Sequence, residues 1–235
     1  MALDGIFLDL YGTITSGDRA AVHAACLQIV QDHAISIPAG DFAIRWGERF
    51  FALVDRSNHD GFKTLLHCEH ESLDETLAEC GLFNIDTAPY VNVLEDYWQA
   101  PPVHDEVHDV LARLQLPICL VTNADTLAAH GAMTTNRLRF AHVVTSEEAR
   151  CYKPDAGIFR FALRRTGWRA DRVLHVGDSL HSDIKGAKAA GLRSAWICRE
   201  DRIHDIGTVE PDHRLRTLHD LFDLLNTLAI KPATV

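Results

Sequence analysis

Four groups of side chains suited to chemistry on an anion lie at or just beyond the ends of short apolar runs. Asp9 follows Gly5-Ile6-Phe7-Leu8 and opens Asp9-Leu10-Tyr11-Gly12-Thr13. Thr122-Asn123 ends the run that begins at Pro117. Lys153, in Tyr152-Lys153-Pro154, comes a loop after the run 141–144. Asp178, in Gly177-Asp178-Ser179, follows Arg172–Val176, and Asp183 comes shortly after. A carboxylate such as Asp9 acts as a nucleophile by dividing hydrolysis into its own attack and a later attack by water. Thr122, Asn123 and main-chain N–H groups near Leu10–Gly12 suit the anionic oxygens of a substrate. Lys153 would tie the Asp9 carboxylate to that anion. Asp9, Asp178 and Asp183 set three negative charges against the single positive charge of Lys153. Such a crowd is unfavourable unless a cation neutralises it. A hard divalent ion on oxygen ligands, Mg2+, is the simplest remedy. Helix capping explains one polar residue at a strand end, but not four of these types in this order.

The elements needed to position them are legible as well. The apolar runs 5–10, 117–122, 141–144, 172–176 and 193–197 read as strands. Helical patterns at about 103–114, 125–136, 155–166 and 182–190 alternate with them. Strand alternating with helix implies parallel strands joined by right-handed crossovers, a doubly wound, Rossmann-like α/β sheet. Ligands of such sheets bind in the crevice at the carboxyl ends of the strands, where all four groups fall. Residues 16–98 break this rhythm and read as amphipathic helices at about 18–34, 40–56, 61–80 and 87–98. The expected organisation is a core of residues 1–15 and 99–235 with an inserted helical cap, 16–98. Pro101-Pro102 marks the return to the sheet.

Taken together, Asp9-Leu10-Tyr11-Gly12-Thr13, Val121-Thr122-Asn123, Lys153-Pro154 and Gly177-Asp178-Ser179 through Asp183 resemble the four motifs of the haloacid dehalogenase superfamily. The resemblance spans nearly the whole chain, and the helical insert is similar in place and character to that family's cap. It implies Asp9 and Lys153 as catalytic residues, with Thr13, Thr122 and Asn123 at the substrate. It also implies Mg2+ held at Asp9, Tyr11, Asp178 and Asp183. Tyr11 departs from the phosphatase pattern, which has a second, acid–base Asp there, and a phenol is a poor proton donor near neutral pH. Its ring is read here as a wall of the pocket, beside its place in the implied catalytic and metal sets. Asp-x-Tyr-Gly-Thr is similar to the 2-haloacid dehalogenases, for which Arg45 stands about where a cap arginine would meet the substrate carboxylate. Asp178 and Leu180 depart from that pattern. The phosphonatases, which use a cap lysine, point to Lys63. The paired carboxylates order these readings. Mg2+-dependent hydrolysis of a small phosphorylated metabolite comes first, then metal-independent 2-haloacid dehalogenation, then phosphonatase or a member that binds without turnover.

The chain has 235 residues, is 47% hydrophobic and carries a formal net charge of −10. The charge argues against nucleic acid and anionic membranes as partners but leaves a small anionic substrate open. No apolar stretch is long enough to span a bilayer, nothing resembles a signal peptide, and the six cysteines are scattered. A cytoplasmic location is expected, as a monomer or homodimer. His67-Cys68-Glu69-His70 is read as cap surface, and Tyr90, Tyr97 and Trp98 as helix packing.

Overall fold

The computed structural model describes residues 2–199 and 209–230. Its centre is a six-stranded parallel sheet: β1 (Gly5–Leu8), β2 (Ile118–Thr122), β3 (His142–Thr145), β4 (Val173–Gly177), β5 (Arg193–Ile197) and β6 (His213–Leu215). Their order across the sheet is β3-β2-β1-β4-β5-β6. β1, β2 and β4 are buried along their whole length, as parallel strands covered on both faces must be. The chain winds from β1 out to β3 and then crosses back to place β4 on the other side of β1. That reversal puts the carboxyl ends of β1 and β4 side by side at the switch point, where a doubly wound sheet opens its binding crevice.

One face buries Ile6, Leu8, Leu120, Leu174 and Val176 under α5 (Val107–Arg113), α6 (Thr126–Thr135) and α10 (Asp220–Ile230). The other buries Phe7, Cys119, Val121 and Val173 under α8 (Ala156–Thr166) and α9 (Gly186–Ala189). A short α7 (Ser146–Ala149) follows β3, started by a capping box between Thr145 and Glu148.

The insert is wholly helical: α1 (Asp18–Asp32), α2 (Ala39–Arg56), α3 (Leu65–Glu79) and α4 (Ala88–Gln99). These helices bury a cluster of their own around Phe42, Trp46, Leu73, Tyr90 and Leu94. The chain leaves and re-enters the sheet layer through two paired segments. Thr15 bridges Val103 in antiparallel fashion, and the Ser16 N–H donates to the Pro102 carbonyl at 2.9 Å.

The expected elements are present with shifted ends. α3 starts at Leu65 rather than near 61, because a single 3-10 turn at His59–Gly61 comes first and Thr64 then caps the helix through the His67 N–H. The stretch expected as one helix near 182–190 is a π-helical segment, Leu180–Lys185, followed by α9. β6 and α10 lie beyond the last strand read from the sequence.

Candidate active site

Asp9 is the first residue past β1. Its own N–H still donates to Val176 of β4 at 3.0 Å, so the last sheet bond fixes its backbone. The chain then turns sharply, with Gly12 at φ 85°, a left-handed conformation that favours glycine. Arg199 braces this turn from behind: its guanidinium donates to the Thr13 carbonyl at 2.8 Å and pairs with Glu106 at 2.9 Å.

Lys153 is the hub. It is 3% exposed, and its Nζ donates to Asp9 Oδ1 at 2.5 Å, Asp183 Oδ1 at 2.6 Å and the Val121 carbonyl at 3.2 Å. All three ammonium protons are therefore placed. Burial alone would push the lysine down, but Asp183 and Asp9 outweigh it and hold the ammonium above the ordinary lysine range. Asn123 fixes the backbone of the same residue. It accepts from the Lys153 N–H at 2.7 Å and donates to the Lys153 carbonyl at 3.0 Å.

Asp183 is 1% exposed on the π-helical segment. Its Oδ1 also meets His175 Nε2 at 2.9 Å, and its Oδ2 accepts the Ser179 N–H at 3.0 Å. Burial works upward on this carboxyl, yet Lys153 and His175 hold it below the usual range. The close approach requires Gly177: a Cβ there would sit 2.1 Å from Asp183 Cγ. Asp178 accepts from the Thr13 hydroxyl at 3.2 Å, and its carbonyl accepts Trp196 Nε1 at 2.7 Å.

Asp9, Asp178 and Asp183 each offer a carboxylate oxygen, and these oxygens lie within 4.8 Å of one another. Burial pushes Asp9 upward and Asp183 adds to that, with Lys153 opposing. Lys153 pairs with two of these carboxylates, Asp9 and Asp183. A hard, oxygen-only donor set of three converging carboxylates fits Mg2+. Asp183 is the most committed of the three, since its oxygens already accept three bonds.

The cluster forms the floor of a cavity of about 450 Å³. Thr122 lies in its wall with Oγ1 buried and without a hydrogen-bond partner among the described residues. The far side is built from the insert, including Phe50, Phe51, Glu69, Glu95 and Trp98.

Several expected roles are revised by the structure. The Tyr11 hydroxyl donates to the Trp98 carbonyl at 2.7 Å and its ring packs edge-on against Trp98. Burial, then Glu95, push this phenol above its ordinary range. Its ring forms part of the cavity wall, and its hydroxyl proton is committed to the Trp98 carbonyl rather than to the carboxylate cluster. Thr13 is buried outside the cavity wall, and its hydroxyl donates to Asp178. Arg45 is exposed and absent from the cavity wall. It sits nine residues before Val54, about 180° round the α2 axis from that wall residue. Lys63 pairs with Glu71 and also lies outside the wall. The expected cap-surface stretch 67–70 divides: His67 is exposed, whereas Cys68 and Glu69 are buried and Glu69 lines the cavity. Trp98, expected only to pack helices, lines it too.

Sequence reasoning passed over His175 and Arg199. A histidine inside the apolar run before Gly177 was the available signal for the first; nothing local marks the second.

Residues 3–191 match the sequence profile of a hydrolase family described as haloacid dehalogenase-like hydrolase. A (S)-2-haloacid dehalogenase of Pseudomonas fluorescens is 24% identical over 233 residues, 96% of this chain and 98% of that one. A pyrimidine 5'-nucleotidase of Escherichia coli (strain K12) is 29% identical over 232 residues, 96% of this chain and 99% of that one. Among solved structures, the magnesium-bound HAD-hydrolase YfnB of Bacillus subtilis superposes with a TM-score of 0.77 at 23% identity, covering 96% of this chain and 100% of that one.

Proposed function

The chain belongs to the haloacid dehalogenase-like hydrolases, and we propose that within this family it is a Mg2+-dependent phosphohydrolase acting on a small phosphorylated metabolite. Residues 16–98 serve as the cap that selects the substrate, and residues 1–15 and 99–235 as the catalytic core. The observation that carries the reading is the trio Asp9, Asp178 and Asp183, whose oxygens approach within 4.8 Å of one another beside the buried Lys153. Mg2+ bound there would neutralise the phosphoryl oxygens and lower the repulsion between substrate and carboxylates.

Asp9 Oδ1 is engaged by Lys153, which leaves Oδ2 for attack. Attack on phosphorus forms the Asp9 acyl phosphate as the P–O bond to the alcohol breaks, and the departing oxygen takes a proton from solvent. Water then attacks the phosphorus, gives its proton to solvent, and releases inorganic phosphate with Asp9 regenerated. The Thr122 hydroxyl holds a phosphoryl oxygen, Lys153 orients Asp9 and opposes the upward push of burial on its carboxyl, and Asn123 holds Lys153. Tyr11 supplies no proton, so turnover favours leaving groups that depart without strong acid assistance.

The long likeness to a (S)-2-haloacid dehalogenase favours a second reading, carbon–halogen hydrolysis. A 2-haloacid brings a carboxylate, and among the described residues lining the cavity the one lysine or arginine is Lys153, already bound to Asp9 and Asp183. That leaves the substrate carboxylate unmatched, so the phosphatase reading ranks first. The test is phosphate release from a panel of esters and acyl phosphates with Mg2+ and with chelator, beside halide release from 2-haloacids. Mg2+-dependent phosphate release, lost in Asp9→Asn, is expected. Halide release without metal would overturn it.

A further inference from the structure

The cap side of the cavity carries acid and no base. Glu69 and Glu95 both lie in its wall, beside Trp98, Tyr11 and Phe50. Glu69 is 4% exposed, and its Oε1 accepts Trp98 Nε1 at 2.9 Å. Its Oε2 is buried with no hydrogen-bond partner at all. A buried carboxylate oxygen left bare is costly and calls for a partner the protein does not supply. Glu95, half-buried, makes no hydrogen bond or ion pair with any described residue. Burial first, then the Glu95 charge, push Glu69 up to about 8, and burial with Asp125 raises Glu95 in turn. Both shifts arise first from burial, and a cation entering the cavity would oppose them.

Among the described residues, the grouping whose ligand oxygens converge as a metal ion needs is Asp9–Asp178–Asp183, and Glu69 and Glu95 do not join such a group. Two carboxyls in one cavity wall, outside any such three-ligand group, suit a broader cation. An organic ammonium, with aromatic walls to receive its apolar or methylated surface, has that form. Asp125 adds negative charge nearby, although its own two oxygens are taken by the Leu65 and Leu66 N–H groups at 2.8 and 2.9 Å.

We propose that the Glu69–Glu95 wall binds the ammonium group of the substrate, so that the enzyme acts on phosphate monoesters of amino alcohols. This rests on the phosphohydrolase reading for the reaction, but the cation subsite itself is separable from it. The phosphate lies over Asp9 and the ammonium under Trp98, with the short alkyl chain between them. A zwitterionic substrate also adds less negative charge to an already acidic cavity than a plain phosphate does.

Two measurements on the whole chain test this. The first compares kcat/KM for choline phosphate and ethanolamine phosphate with that for the uncharged tert-butyl isostere of choline phosphate. The ammonium esters should be favoured at least about tenfold, the worth of one desolvated cation contact, and Glu95→Gln and Glu69→Gln should each shrink that ratio severalfold. Equal rates for charged and uncharged esters would overturn the proposal. The second is calorimetric binding of choline, which carries no phosphate, against its uncharged isostere. Choline should bind preferentially to the wild type and lose that preference in both variants. Absence of any preference in the wild type overturns the subsite even if phosphate is released. Preferential choline binding without phosphate release upholds the subsite and refutes the reaction.

Discussion

Replacing Glu69 by Gln tests the electrostatics of the cavity without any substrate. In the folded protein this carboxyl is displaced from an ordinary 4.5 up to about 8, chiefly by burial and secondly by Glu95. The displacement is about 3.5 pH units, and at about 1.36 kcal/mol for each it caps the effect near about 5 kcal/mol. The sign follows from proton counting. Between pH 4.5 and about 8 the unfolded chain loses the Glu69 proton while the folded chain keeps it. The wild type is therefore fully stabilised below the lower value, loses stability as pH rises through this window, and levels off above the upper one. Gln keeps the acceptor for Trp98 Nε1 and cannot ionise, so the variant lacks this loss. Its buried amide adds a constant offset of about 1–3 kcal/mol, which does not change with pH. Urea unfolding of both proteins in chelator, at steps from about pH 4 to about pH 9, reads the difference directly. The variant should gain on the wild type by at most about 1.4 kcal/mol per pH unit, with the gain ending near pH 8. Parallel stability curves across that range would show that Glu69 is ionised or hydrated in the fold, and the argument for a missing cation would fail with it.

Thr122→Val removes a hydroxyl that has no partner in the free protein, so stability should be unchanged or higher while kcat/KM falls about 10- to 100-fold, the worth of a hydrogen bond to a charged oxygen. A large loss of stability would place Thr122 in the scaffold instead. Tyr11→Phe deletes only the bond to the Trp98 carbonyl, so unfolding should shift by about 1 kcal/mol and turnover should persist; an inactive, folded variant would give the phenol a chemical role. Mg2+ at about 100 times its dissociation constant should stabilise the wild type by about 2.7 kcal/mol, and Asp178→Asn should abolish most of that gain. An equal gain in the variant would move the ion elsewhere.

Much of the architecture was legible because burial on both faces leaves continuous apolar strands, and because a polar residue ending such a strand is conspicuous. Asp9, Thr122, Asn123 and Asp178 are visible for this reason, Lys153 and Asp183 by their place shortly beyond such ends, and the fold brings all six to one sheet edge. What stayed hidden depends on orientation rather than type. Arg45 and Glu69 both sit on cap helices with charged neighbours, and helical spacing alone does not say which face meets the sheet. The structure turns the arginine to solvent and the glutamate inward. Thr13 and Thr122 are the same residue type near the same site, yet one props a carboxylate and the other lines the cavity. β6 is three residues long and its burial is mixed, so it offers no apolar run to read.

Asp125 has a consequence for how this enzyme can change. It follows Asn123 by two residues on the core loop, yet both of its carboxylate oxygens cap the first turn of α3 in the insert. Each such bond to a charged acceptor is worth about 1.5–3 kcal/mol. A chimera that grafts a relative's cap onto this core inherits an acceptor pair in a fixed place. The incoming helix must present two main-chain N–H groups there, or the loop beneath the reacting group loses its brace. The two layers are therefore not interchangeable parts, and exchange of specificity by recombination should succeed only between chains that share this splice.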